Sequence, residues 1–114
     1  MRRDAQGYLW DAIQAAETVL RYTAGKALDD VLEDIVLTGF IERQMITLGE
    51  ALNQLSNAFP DVGSEITELA EVVAFRNILV HGYRDLDWVQ VWGVVQRDLP
   101  ALKERMQALL DSLG

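Results

Sequence analysis

The chain holds one histidine, His81, and no cysteine, which removes most side-chain chemistry at the outset. A catalytic zinc site takes three protein ligands, usually rich in histidine, and a thiolate site needs cysteine. A Ser-His-Asp triad would have to recruit Ser56, Ser64 or Ser112, none of which stands in a nucleophile context. Neither GxxxxGK nor GxGxxG occurs, so there is no glycine-rich loop to cradle a phosphate. No carboxylate pair stands out. What remains is the stretch Phe75-Arg76-Asn77-Ile78-Leu79-Val80-His81-Gly82-Tyr83-Arg84. Between Glu71 and Asp85 there is no acid, yet two arginines and the only histidine fall inside: a local basic window of the kind a phosphate needs. Arginine offers a planar fork to a phosphate or a pentavalent transition state, and histidine can move a proton near neutral pH. Asn77 and His81 stand at i, i+4 and share a helical face. Arg76 comes five residues before His81, about 140° round an ideal helix, so the two converge only if the helix ends there or a second chain contributes.

The elements that must position these residues read as helices throughout. Leu9, Ile13, Ala16 and Leu20 form one stripe, with Asp4 placed to cap it and Gly25 just past its end. Leu37, Ile41, Met45, Leu48, Leu52, Leu55 and Phe59 keep a second stripe that needs about six turns. Asn57, Pro60 and Gly63 then force a turn. A third helix is predicted from near Ser64 to near Gly82, carrying Ile66, Leu69, Val72, Phe75 and Leu79. The last stripe runs Trp88, Trp92, Val95, Leu99, Leu102, Met106, Leu109, Leu113, with Pro100 inside it, which predicts a kink or two abutting helices. No strand-like alternation persists. The expectation is an all-α antiparallel bundle of four to five helices, residues 1–114 forming a single domain. The Leu37–Phe59 and Trp88–Leu113 stripes should wall one core. Trp10, Trp88 and Trp92 read as core or interface residues.

The 114 residues are half hydrophobic and a quarter charged, an ordinary globular mixture with enough apolar material for one core. No apolar run approaches the roughly 20 residues a membrane helix needs, and Met1-Arg2-Arg3-Asp4 leads into an amphipathic segment rather than a secretory signal. A cytoplasmic protein is expected. Its net charge of −8 repels phosphate on average, which argues against duplex DNA and confines any nucleic-acid site to a local patch.

Set as Arg76-Asn77-x3-His81-Gly82-Tyr83, the basic window resembles the R-x4-H-x-Y signature of the HepT family, within the HEPN superfamily of nucleotide-binding helical domains. Flanking stretches resemble the family in the same order: Tyr8-Leu9-x-Asp11-x-Ile13, Ile41-Glu42-Arg43, Leu48-Gly49-Glu50-Ala51, Trp92, and Asp98-Leu99-Pro100-x-Leu102. The resemblance implies a HEPN-type bundle acting as the ribonuclease toxin of an HEPN/MNT toxin–antitoxin pair. It implies metal-independent endonucleolytic cleavage of RNA without a cofactor, with Arg76 and His81 catalytic and Asn77 supporting them. It also makes Tyr83 the tyrosine to which a partner nucleotidyltransferase antitoxin adds AMP. One histidine is awkward for a reaction with two proton transfers. A homodimer would remove the difficulty by placing two His81 and two Arg76 about one axis. Other readings of the residues stay open. Arg76 could pair with Glu71 or Asp85, Asn77 could brace backbone near the helix end, and Tyr83 could be an interface aromatic. Glu42, Arg43 and Glu50 read as a polar face of the long helix, structural or dimer-facing rather than catalytic. The alternative function is a non-catalytic helical module that binds a nucleotidyltransferase or a nucleotide.

Overall fold

Three aspartates start three of the helices. In a computed structural model, which describes residues 3–82 and 85–114, Asp4 accepts the Gly7 N–H at 2.8 Å and opens α1 (Ala5–Thr23). Asp34 accepts from Val36 and Leu37, each at 3.1 Å, and opens α3 (Ile35–Ala58), which follows the short α2 (Leu28–Leu32). Asp87 does the same for α6 (Trp88–Gly93). Each carboxylate satisfies amide donors that the first helical turn leaves free. α1 ends where Gly25 takes φ +74°, a left-handed conformation open to glycine at little cost.

The third predicted helix is shorter than its stripe. Pro60 starts a separate turn, α4 (Pro60–Gly63), because its fixed φ and missing N–H suit a first helical position. Ser64 to Glu68 then make turns, and the helix proper, α5, spans Leu69–His81. Ile66 is buried all the same, so the apolar stripe was a guide to burial and not to helix. α5 stops at Gly82, as its position predicts.

Near Pro100, where a kink or a break is expected, the helix stays unbroken and changes register. α6 runs into a π-helical turn, Val94–Asp98, and on into α7 (Leu99–Ser112). Leu99 N–H reaches back five residues to the Val94 carbonyl, and Pro100, which has no N–H to give, follows at once. The core explains the wider turn. Val91, Val95 and Leu99 are all buried at successive steps of four, which on an α-helix would drift off the seam by about 40° a step.

α1 packs against both α3 and α7, and α5 packs against α3. Leu9, Ala12, Ala16 and Val19 meet Ile41, Leu48, Leu52 and Leu55, and Val95, Leu99 and Met106 complete one core. Arg105 Nε donates to Glu68 Oε2 at 2.9 Å, tying the start of α5 to α7. No strand occurs among the described residues, so the architecture is the expected all-α bundle. Among the tryptophans, Trp88 and Trp92 are half-buried against the core, but Trp10 is exposed: it sits one residue, about 100°, off the α1 stripe. No helix among the described residues is long and apolar enough to cross a membrane.

Candidate active site

Arg76, Asn77 and His81 occupy the last two turns of α5, but not on one face. Arg76 lies toward α3 and is half-buried, whereas Asn77 and His81 are exposed, His81 as the final helical residue. Between them in sequence Ile78 and Val80 are 45% and 39% exposed, two of several exposed aliphatic side chains that include Ile35, Val36 and Val89. Beside Ile78 an open groove of about 710 Å³ runs between α5 and the Trp88–Ser112 helix, lined by Val72, Phe75, Ile78, Val89, Val94 and Leu102. The exposed side of α5 is therefore mixed: Asn77 and His81 lie along it, with Ile78 and Val80 to either side, about 200° apart.

Arg76 owes its position to α3. At Gly49 the two helices come so close that a Cβ there would lie 2.4 Å from Arg76 Cβ and 2.8 Å from its Cγ. The arginine stem thus lies in the space a side chain would fill. Its head is then taken by the next residue along: Nη2 donates to Glu50 Oε2 in a close ion pair, and Nη1 donates to Asn77 Oδ1 at 2.7 Å. Nε is buried with no acceptor among the described residues. Glu71 and Asp85, the partners open to Arg76 from the sequence, are not the ones it uses. Asn77 does not brace backbone through its carbonyl; it accepts from the arginine beside it. Glu50 contacts Arg76 directly, although its place on the polar face of α3 read as structural or dimer-facing.

Glu42 and Arg43 stand two turns earlier on α3; burial pushes the Glu42 carboxyl above its ordinary value, and Arg43 is exposed. Tyr83, expected to carry AMP, and Arg84 lie outside the described residues. Arg76 and His81 make no hydrogen bond to each other, in keeping with their separation around the helix. Among the described residues no group of three histidines or carboxylates is arranged to hold a metal ion. The arrangement can do two things: present an anchored guanidinium to an anion, and offer an exposed imidazole for proton transfer on the adjoining surface.

Residues 12–109 match the family model described as "Ribonuclease HepT-like". The chain is 26% identical to "Putative RNase MJ1380" of Methanocaldococcus jannaschii, across 93% of this chain and 96% of that one. It is 29% identical to "Probable ribonuclease HepT" of Thermococcus cleftensis, across 96% and 98%. It is also 31% identical to "Gamma-glutamylcyclotransferase and putative RNase MJ0434" of M. jannaschii; there it is covered over 99% of its length but spans only 50% of the relative. No solved structure matches it significantly.

Proposed function

This chain belongs to the ribonuclease HepT-like family, and from that premise we propose that it is the ribonuclease toxin of a two-gene HEPN/MNT pair, cutting RNA without a metal ion at a site shared by two protomers. The observation that carries this reading is the gathering of Arg76, Asn77 and His81 at the end of one helix, with the exposed aliphatic side chains Ile78 and Val80 flanking Asn77 and His81. Exposed Ile78 and Val80, flanking Asn77 and His81 on the helix, favour cover by a second copy, and a twofold axis there brings two imidazoles to one cleft.

In that cleft one His81 takes the proton from a ribose 2′-hydroxyl as its oxygen attacks the adjacent phosphorus. The other gives a proton to the departing 5′-oxygen, leaving a 2′,3′-cyclic phosphate and a free 5′-hydroxyl. Arg76 meets the charge that gathers on the phosphoryl oxygens in between, when its contribution is largest. A partner nucleotidyltransferase would silence the site by moving AMP from ATP to the Tyr83 phenol, with pyrophosphate leaving. Two residues past His81, that bulky anion would compete for the phosphate position.

The test is cleavage of a single-stranded RNA oligonucleotide by purified protein in EDTA, with products identified by mass. Cyclic phosphate ends are expected. His81→Ala should abolish turnover, and Arg76→Ala should lower it by about 10²–10³ with a smaller effect on binding. Activity lost in EDTA, or kept in His81→Ala, overturns the mechanism.

A further inference from the structure

The geometry around Arg76 points to Glu50 as the positioning residue of the site; we infer that its carboxylate sets the orientation of the guanidinium before RNA arrives. The inference rests on the ribonuclease reading for what Arg76 does, but on the contacts alone for how Arg76 is held. An arginine side chain has four rotatable bonds and loses much rotamer freedom when fixed. Here the cost is spread over three contacts. The stem lies in the gap left by Gly49, Nη2 is held by Glu50 Oε2, and Nη1 is held by Asn77 Oδ1. Nε is shut away from any acceptor among the described residues. One hydrogen on each terminal nitrogen is left over, and these remaining two form the fork available to a phosphate.

Two of the three contacts come from α3, Gly49 on the stem and Glu50 on the head, the latter 26 residues away in sequence. Asn77 rides on the same helix as Arg76 and moves with it. Only Glu50 ties the guanidinium to the frame of α3. Its charge has a second effect. A carboxylate against Arg76 cancels much of the attraction for the singly charged phosphodiester, so little is gained when substrate merely binds. As charge grows on the phosphoryl oxygens, the preset fork is already aimed at it, and stabilisation falls on the transition state.

Three proteins are compared: wild type, Glu50→Ala and Glu50→Gln, the last keeping an acceptor oxygen without the charge. Circular dichroism checks their helicity. Against the RNA oligonucleotide, Glu50→Ala should lower kcat ten- to a hundredfold with KM unchanged or lower, because a repelling charge has gone. Glu50→Gln should recover most of the kcat and keep the lower KM. Independently of activity, the terminal guanidinium nitrogens of Arg76, assigned by their loss in Arg76→Lys, should give separate NMR resonances in wild type and Glu50→Gln. They should average in Glu50→Ala. A freely averaging Arg76 in the wild type overturns the inference even if Glu50→Ala fails to fold. So does a folded Glu50→Ala with wild-type kcat, or one in which KM rises while kcat holds. A restrained Arg76 in a wild type that cuts no RNA would overturn the ribonuclease reading and leave the positioning role standing.

Discussion

Gly49 and Arg76 share one space, and that makes the glycine the most sensitive position in the site. Adding a methyl group there meets Arg76 Cβ and Cγ, atoms near the backbone that cannot swing aside, so α5 must move. Gly49→Ala should cost about 1–3 kcal/mol in urea denaturation, the usual range for overpacking, and lower RNA cleavage with it. Gly39, on the same helix, is the control: nothing lies within 4 Å of its would-be Cβ. There alanine should stabilise by up to about 1 kcal/mol through helix propensity alone. Equal effects of the two substitutions would mean that the helix crossing is not held at Gly49. Arg76, Asn77 and His81 stood out in the sequence as candidates because their types and spacing form a pattern within a few residues. Glu50 did not, since nothing local couples position 50 to position 76. Its traces were a glycine in the middle of a 24-residue helix, an expense that calls for a close neighbour, and its place in the family-like stretch Leu48-Gly49-Glu50-Ala51.

On the scale of elements, α5 departs furthest from a surface helix. Such helices show one apolar stripe and one polar face, whereas the outer face of α5 mixes exposed Ile78 and Val80 with Asn77 and His81. With Ile78 and Val80 exposed, the uncovered side is where a second copy should sit. Sedimentation velocity is expected to give a dimer. Ile78→Asp and Val80→Asp should give helical monomers with little RNA cleavage, since each monomer would keep only one His81. A fully active monomer would remove the shared site. Helix identity was readable from the apolar stripes because α1, α3 and the last helix each bury one. Boundaries were less so. Ile66 keeps the α5 rhythm from within a turn, because a loop residue can point into a core as well as a helical one can. The wider turn before Pro100 was hidden for the opposite reason: a 4-4 spacing of buried residues looks like ordinary helix until the drift is added up.

For the molecule as a whole, the excess of acid is partly architectural. Asp4, Asp34 and Asp87 are spent on helix starts, and Glu50 on the arginine. The body measures 41 × 28 × 25 Å, so a net charge of −8 lies within a few screening lengths of every point on its surface. Stopped-flow mixing with labelled RNA should therefore show association that quickens as salt is added, because salt screens repulsion. A steep slowing with salt, the behaviour of most nucleic-acid binders, would mean an extended basic surface. The ion pair between Arg76 and Glu50 sharpens this further. A lone positive charge is felt at long range, but a charge paired with its opposite acts as a dipole, whose field fades much faster with distance. Approaching RNA is thus not guided to the arginine and meets it only on touching it. Encounter is left to chance and to local abundance, and discrimination among RNAs falls to the shape and flexibility of whatever segment can reach in.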